Sequence, residues 1–368
     1  MSTSAAQRSW EAENDILTID ADRNALYTLP EPSLYKNLTE QQKPWKENAN
    51  YFTDVKISAL ALLKMTIHAR SGGSIEIMGL MTGYVSGTSF VITDAYRLPV
   101  EATETRVNAH EEAYEYMATF AELSRAADRQ ENPIGWYHSH PGYGCWLSGI
   151  DVGTQKLWQQ GDTPFVAVVI DPDRTVSAGR VEIGAFRTYP ENQRPQDKVV
   201  QEDGFQAIPA GKIEDFGAHA NDYYSLEVSH YKSTLDQQLI DLLWNKYWTS
   251  TLSQSPLFSN ADFTHQQIAD HTGKLRQQVK NKGQRSATSR HAPSELVASA
   301  DSKTNIKVAR EKVLDQLVKS GNKISAEAAA GLMAAEVREK LFLGVIQEAR
   351  LQAASEQATR TATGNAMA

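Results

Sequence analysis

The chain has 368 residues with a formal net charge of −8, and 41% of its residues are hydrophobic. That length predicts two or three folding units, or one domain with a long extension, because domains commonly span about 100–200 residues. The single cysteine, Cys145, excludes an intramolecular disulfide and any site that needs two thiolates from one chain, and the acidic balance argues against a surface that binds nucleic acid throughout.

The first fifty residues are polar, and we expect them to form an extended N-terminal arm with one short helix. Residues 1–50 contain three prolines and show no sustained hydrophobic period. The opening MSTSAAQRSWEAENDILTID lacks the basic start and the apolar stretch of a secretory signal. The longest clean apolar run, FVAVVI at 165–170, is much shorter than the stretch of about 20 apolar residues that crosses a membrane. We therefore expect no membrane attachment and a location in the cytoplasm and nucleus.

Residues 51–190 alternate between patterns typical of helices and of strands, which predicts a compact α/β unit. An apolar helix is predicted over 55–72. A β-hairpin is predicted over 74–98, with its turn at Ser86 and Gly87. Further predicted elements are helices at about 110–128 and 149–161, and strands at 133–140, 164–172 and 178–189.

Beyond residue 190 the pattern becomes mainly helical. We expect 191–257 to complete the core with helices and connections, and 258–368 to form a C-terminal helical assembly region with a flexible linker near 283–304. Helical periodicity predicts three blocks, at 222–250, 260–280 and 305–352. In the last block an apolar residue recurs every four positions, at Met333, Val337, Leu341 and Val345. This stripe can serve either partner subunits or a helical hairpin packed on the core itself.

A basic stretch spans residues 273–312, with ten Lys or Arg against three Asp or Glu. An acidic partner or a nucleic acid would explain it, and so would a solvated linker between helix ends. No aromatic residue is interleaved to stack on bases. The solvated linker is therefore favoured, and we expect no direct binding of nucleic acid.

The residues with distinctive chemistry lie in HSHPGYGCWLSGID, at 138–151. If 133–140 is a strand, His138 and His140 project from the same face, because side chains alternate with a period of two. Asp151 falls in the first turn of the next predicted helix, from which its carboxylate can reach back to the histidines. Two imidazoles and one carboxylate leave a fourth tetrahedral position open, which is typical of a catalytic zinc site.

The same segment also fits other interpretations. A His-x-His pair is common, and Ser148 with Asp151 fits a helix N-cap in which both residues serve the helix alone. The letters GYGCW superficially resemble the surroundings of a papain-type nucleophile at Cys145, but the first cysteine of that pattern is absent. From spacing alone, the metal site and the helix cap both stay open.

HSHPGYGCWLSGID, preceded by SIEIMGLMTG, resembles the JAMM (MPN-plus) metalloprotease family. The family pattern is a Glu, then H-x-H, ten residues and an Asp that ends Ser-x-x-Asp, and it falls here on Glu76, His138, His140, Ser148 and Asp151. KISALALLKM, HARSGG, TETRVNA, AYEYMA, PFVAVVIDP, GAFRTYP and IEDFG are similar to the branch that provides the catalytic subunits of the COP-nine signalosome. The similarity is strong over about 44–190 and weaker to about 262.

The resemblance implies the MPN fold, a mixed β-sheet core flanked by helices, followed by a C-terminal helical extension. It implies one zinc ion (Zn2+) per chain, bound by His138, His140 and Asp151. Glu76 would be the general base, and Ser148 would direct its hydroxyl at the tetrahedral oxyanion.

The implied activity is deneddylation, in which an isopeptidase removes a ubiquitin-like modifier from cullin lysines. Other signalosome subunits would bind the C-terminal helices, and neddylated cullins would be the substrates. The alternatives are a JAMM deubiquitinase of another complex, a non-catalytic MPN scaffold and a coactivator-type binding module. Scaffolds of this kind lose metal ligands, whereas this chain keeps them all.

The segment PVEATETRVNAH, at 99–110, connects a predicted strand to a predicted helix. Such connections usually have about 2–6 residues, so this one is unusually long. It holds almost nothing apolar to anchor it, which is typical of a lid. In the family this insertion lies beside the metal. We expect Glu104 to reach the open metal position and displace the nucleophilic water, and Arg106 to hold the loop closed on a nearby carboxylate. The alternative is a flexible surface loop with solvated charges.

Overall fold

The computed structural model describes residues 5–19, 30, 35, 37–98, 111–127, 129, 131–161, 164–190, 193, 208–244, 260–288, 314–315, 317–333, 336–337 and 340. The segment at 99–110 with Glu104 and Arg106 lies outside these residues, as do Leu341 and Val345. Within the described ranges, no helix is both long and apolar enough to cross a membrane.

The strands form one mixed sheet. They are β1 (Ile16–Thr18), β2 (Asp54–Ser58), β3 (Met78–Ser86), β4 (Ser89–Arg97), β5 (Asn132–Ser139), β6 (Val166–Asp171), β7 (Glu182–Thr188) and β8 (Tyr223–Lys232). Their order is β1-β8-β2-β4-β3-β5-β6-β7, and β7 also pairs with β8. The β2–β4 and β5–β6 pairs are parallel, whereas β3–β4 and β6–β7 are antiparallel. The predicted fold class, an α/β protein with a mixed sheet, is confirmed.

The helices flank this sheet and continue beyond it. They are α1 (Ala5–Glu13), α2 (Pro44–Glu47), α3 (Ala59–Ser71), α4 (Glu111–Ala126), α5 (Gly149–Gln159), α6 (Pro172–Ala178), α7 (Ile213–His219), α8 (Thr234–Trp244), α9 (Ala261–Thr288) and α10 (317–333). A π-helix at Asn37–Gln42 and a 3-10 helix at Ala210–Lys212 complete the set in the described residues. The sequence did not predict α6 or α7.

The sheet is covered on both faces by apolar clusters. Along β6, Val168 and Ile170 belong to one cluster, and the alternating Ala167 and Val169 belong to the other. Because side chains alternate across a strand, the two clusters lie on opposite faces. The sequence of a strand that is buried on both faces is a continuous apolar run. This explains why the residues of β6 were predicted as a strand.

Two segments predicted as helices begin as strands. The first residues of 55–72 form β2, and α3 starts only after Ser58, whose hydroxyl accepts the N–H of Ala61 at 3.1 Å. The first residues of 222–250 form β8, and α8 starts after Ser233. In both places the prediction missed the strand and its boundary.

The predicted N-terminal arm is not a free extension. Strand β1 pairs in parallel with the end of β8, and Trp10 of α1 is only 3% exposed. Asn14 Oδ1 accepts the N–H of Val181 at 2.7 Å. These contacts attach the start of the chain to the sheet.

The C-terminal helices pack on the core. Asn260 Nδ2, just before α9, donates to Asp173 O at 2.6 Å and to Ser177 Oγ at 2.8 Å. Lys323 Nζ of α10 lies 3.9 Å from Glu182 Oε1 of β7. The helix predicted at 260–280 runs on to Thr288, so the start of the predicted linker is helical.

Candidate metal centre

The two histidines lie at the carboxyl end of β5, the strand between β3 and β6. His138 is opposite Met78 of β3 and Val169 of β6, and the N–H of His140 donates to Ile170 O at 2.9 Å. Both rings are 1% exposed, with centroids 4.8 Å apart. As the period of two predicts, they point to the same side of the strand.

Three donor atoms converge beside this strand end. His138 Nε2 lies 3.1 Å from His140 Nε2, and Asp151 Oδ2 lies 3.4 Å and 3.5 Å from these two nitrogens. Ligands at about 2.0–2.1 Å from a tetrahedral zinc ion lie about 3.3 Å from one another. The triangle therefore fits one face of a tetrahedral metal site, as the sequence predicted, and leaves the fourth position for water or substrate.

Neighbouring groups orient the imidazoles. His140 Nδ1 lies 3.0 Å from the carbonyl oxygen of Gly144, which only accepts, so this nitrogen carries the proton and Nε2 is left to bind a metal. The ring of His138 stacks on Trp136 at 4.6 Å with an interplanar angle of 14°. The protein therefore holds both rings in place, and for His140 it also fixes which nitrogen is left for a metal.

The electrostatics favour a cation. Burial raises the pKa of Asp151, but the adjacent His138 and His140 outweigh it and lower that pKa well below its usual value. Burial, helped by His138, lowers the pKa of His140. Burial lowers the pKa of His138, but the charge of Asp151, its hydrogen bond to His138 and the charge of Glu76 outweigh burial, so the pKa is raised. An ionised carboxylate and a neutral imidazole are the forms that bind metals, and the negative charges around His138 attract a cation.

Glu76 lies across the cleft from the histidines. It is half-buried and forms an isolated bridge just before β3, not within a strand as predicted. Its Oε1 accepts a hydrogen bond from the hydroxyl of Tyr143. Glu76, His140, Tyr143 and Ser148 line one cleft of about 270 Å³. A carboxylate in that position can exchange protons with a molecule bound at the metal.

Ser148 and Asp151 form the helix cap that the sequence offered as the alternative to a metal site. The Ser148 N–H and hydroxyl donate to Asp151 Oδ2 at 2.9 Å and 2.6 Å, and the hydroxyl accepts the Asp151 N–H at 3.3 Å. The same oxygen of Asp151 faces the histidines. The two interpretations therefore coexist, since the capping box fixes the carboxylate in place as a ligand.

Comparison with known proteins agrees with this geometry. Residues 50–164 match the family model described as JAB1/Mov34/MPN/PAD-1 ubiquitin protease, and 253–343 match that of the Cop9 signalosome subunit 5 C-terminal domain. The COP9 signalosome complex subunit 5 of Aspergillus fumigatus is 51% identical over 341 residues, covering 93% of this chain and 97% of the relative. This chain belongs to the COP9 signalosome subunit 5 family.

Other members of the subunit 5 family are similarly close. The subunit 5 of Emericella nidulans is 52% identical over 93% of this chain and 97% of its own length. The subunit 5b of Arabidopsis thaliana is 50% identical over 93% of this chain and 92% of its own length. The resemblance read from the sequence is confirmed, and the match at 253–343 extends it past residue 262. Membership makes the chain a hydrolase of the JAB/MPN isopeptidase type.

Beside Gly149, which was predicted only as the start of a helix, five residues of the cleft received no role from the sequence. They are Tyr143, Trp146, Ile150, Lys212 and Asp215. Lys212 Nζ lies 5.0 Å from the ring centroid of Tyr143, and Asp215 Oδ1 accepts the N–H of Gly149 at 3.3 Å. The only sequence signal for Asp215 was the family-like segment IEDFG, and Lys212 directly precedes that segment.

Cys145 does not act as a nucleophile in this arrangement. It is buried, and burial raises the pKa of its thiol well above the usual value. A reactive cysteine needs an accessible thiolate. The papain-like interpretation is therefore excluded by the surroundings of Cys145.

Proposed function

We propose that this subunit 5 family member is a zinc-dependent isopeptidase that removes a ubiquitin-like modifier from cullin lysines. It would act as the catalytic subunit of the signalosome and so regulate cullin-RING ubiquitin ligases. The observation that carries the proposal is the convergence of His138 Nε2, His140 Nε2 and Asp151 Oδ2 at 3.1–3.5 Å. The names of the relatives support the complex, and the intact ligand set argues against a scaffold.

The side chains of the cleft divide the chemistry among them. His138, His140 and Asp151 would hold a zinc ion, which would supply Lewis-acid activation of water and of the scissile carbonyl. Glu76 takes a proton from the attacking water and hands it to the departing lysine amine. The Ser148 oxygen caps α5 by accepting the Asp151 N–H, and the hydroxyl lines the same cleft. Its single proton donates to Asp151 Oδ2 in this structure and would turn to the oxyanion in the transition state.

The cleft suits a thin, flexible substrate segment. Its volume of about 270 Å³ admits a lysine side chain and an extended peptide end, not a folded protein. Its walls combine apolar surface from Trp146 and Ile150 with the charges of Lys212 and Asp215. An isopeptide between a modifier tail and a lysine presents this combination of an aliphatic stem and a polar backbone.

Removal of zinc tests the function directly. The assembled complex, incubated with a neddylated cullin, should release free modifier, with about one zinc ion per catalytic chain by elemental analysis. Treatment with a chelator should abolish the release, and added zinc should restore it. The same assay on the chain alone measures how far activity depends on assembly. Continued cleavage by complexes that contain no zinc would contradict the proposal.

The C-terminal helices are proposed to join other signalosome subunits. On α9, Ile268, Leu275 and Val279 are exposed and lie on one helical stripe. The opposite side of α9 faces the core, where Asp270 Oδ1 accepts the Ala210 N–H at 3.0 Å. An apolar stripe exposed on a helix that is already anchored is typical of bundling with partner helices.

Charge on this stripe should block assembly without unfolding the chain. Ile268 and Val279 are 54% and 68% exposed, so Ile268→Asp with Val279→Asp removes little packing from the isolated chain. A loss of about 1.4 kcal/mol of binding free energy weakens binding tenfold. An unpaired charge buried in a helical interface costs more than that. Association with the other subunits, measured by co-purification and titration, should weaken at least about tenfold.

The control carries the same charges elsewhere on α9. Ala269→Asp with Gln277→Asp places two aspartates at exposed positions off the stripe. This control should assemble normally, and both doubly substituted chains should keep the native unfolding temperature and zinc content. Native-like assembly of the Ile268→Asp/Val279→Asp chain would place the interface elsewhere.

A further inference from the structure

Asp171, at the carboxyl end of β6, is a fully buried carboxylate to which no catalytic step above gives a role. Its Oδ1 accepts the backbone N–H groups of Gly142, Asp173 and Arg174 at 3.0, 3.0 and 2.9 Å. Its Oδ2 accepts the N–H of Gly144 at 2.8 Å and lies 3.3 Å from Arg174 Nε. One carboxylate therefore caps α6 and also holds both glycines of residues 142–144, here called the GYG turn.

The GYG turn delivers two contacts to the metal centre. The carbonyl of Gly144 accepts the proton of His140 Nδ1, which leaves Nε2 for the metal. The hydroxyl of Tyr143 donates to Glu76 Oε1, and the Tyr143 ring stacks on His140 with centroids 4.4 Å apart. A metal ligand and the proposed base are thus oriented by the same short turn.

This turn needs an external anchor. Gly142 and Gly144 have φ values of +83° and +90°, a region that glycine adopts readily and other residues do not. Glycine also loses more conformational entropy than any other residue when it is fixed. Two N–H groups that converge on one carboxylate offset that cost, because hydrogen bonds to an ionised acceptor are stronger than neutral ones.

We propose that Asp171 is a positioning residue of the isopeptidase. By anchoring the GYG turn, it fixes the metal-binding nitrogen of His140 and the orientation of Glu76. The part that concerns Glu76 rests on the proposed function, whereas the part that concerns His140 depends on metal binding alone.

Asp171→Asn separates the anchor from the helix cap. Asparagine keeps one carbonyl oxygen and caps helices about as well as aspartate, so the contacts to α6 and to Gly142 persist. Its amide group replaces Oδ2 and then faces Gly144 N–H and Arg174, which are both donors. The substitution therefore releases Gly144. Asp173→Asn is the matched control, because Asp173 pairs with Arg70 at 3.0 Å and does not bond to the turn.

Metal binding by the full-length chain is the first readout. For Asp171→Asn, zinc affinity by chelator competition should fall about 10–100-fold, the usual effect of losing a group that orients a ligand. The visible bands of the cobalt-substituted chain should shift, since the His140 orientation changes. A purely structural role would lower the unfolding temperature without moving these bands. Asp173→Asn should match the native chain in both measurements. Native affinity and native bands in folded Asp171→Asn would overturn the proposal, whether or not the chain cleaves cullins.

Tyr143→Phe tests the second contact and does not depend on how Asp171→Asn folds. It removes only the hydroxyl that meets Glu76 and keeps the ring on His140. In the assembled complex, kcat should fall about tenfold or more, the effect of one hydrogen bond to a charged group, while KM and zinc affinity stay native. A native kcat would overturn the link from the turn to Glu76.

Discussion

Replacing His138 with alanine is expected to remove zinc and to abolish isopeptidase activity. The variant leaves only His140 Nε2 and Asp151 Oδ2 at the site, whereas catalytic zinc centres use three protein ligands. Metal ions supply several kcal/mol of transition-state stabilisation, so the rate should fall by at least about 10³-fold. Zinc content by elemental analysis and cleavage of a neddylated cullin by the assembled complex are the measurements.

The fold should survive this substitution. His138 lies at the end of β5, and the apolar clusters on both faces of the sheet are built from other residues. His265→Ala is the matched control, because His265 is exposed on α9 and lines neither the cleft nor the group of three donor atoms. Both variants should keep native circular dichroism. Full zinc occupancy in the double variant His138→Ala/His140→Ala would refute the assignment.

Local geometry was enough to suggest the metal ligands, although spacing alone left a helix cap as the alternative and the family pattern decided between them. A strand period of two places His138 and His140 on one face, and an N-cap places Asp151 within reach of both. Glu76 could not be found this way. It reaches the cleft from just before β3, the strand beside β5 in the sheet but far from it in sequence, so only the family pattern identified it.

The two missed strands show where local patterns fail. In DVKIS, the alternation of Val55 and Ile57 indicates a strand, but the apolar helix that follows continues the hydrophobic run without a break. The boundary between β2 and α3 is marked in the sequence by Ser58, the N-cap of α3. The boundary between β8 and α8 is marked by Ser233 and Asp236, which form a capping box. Pairing of β2 and β8 with each other, across more than 150 residues of sequence, decides their structure.

Contacts between segments that are distant in the sequence cannot be predicted from the spacing of residues. Asp171 meets the GYG turn because β6 lies beside β5 in the sheet, and Lys212 reaches Tyr143 from the segment that leads into α7. Neither residue belongs to a motif with a fixed interval from the histidines. Their roles follow from the order of strands, which hydrophobic periodicity does not encode.

Glu76→Gln should keep the metal and lose the proton transfer. Glutamine has the size of glutamate and keeps an oxygen that can accept the Tyr143 hydroxyl, so the cleft is preserved. It cannot take a proton from water at neutral pH. General acid–base catalysis contributes about 10²–10⁴-fold, and kcat should fall by that factor at native zinc content. Glu214→Gln is the control, because Glu214 is exposed on α7, and its kcat should be native.

A combined variant then separates Glu76 from Tyr143. If Tyr143 acts only by orienting the Glu76 carboxylate, Tyr143→Phe should lower kcat in the native chain and have no further effect in the Glu76→Gln chain. Residues that act through one another are not additive, whereas independent residues add. Additive losses would give Tyr143 a separate contact with the substrate. Near-native turnover of Glu76→Gln at matched zinc content would mean that another group is the base, and the proposed proton path would then be wrong.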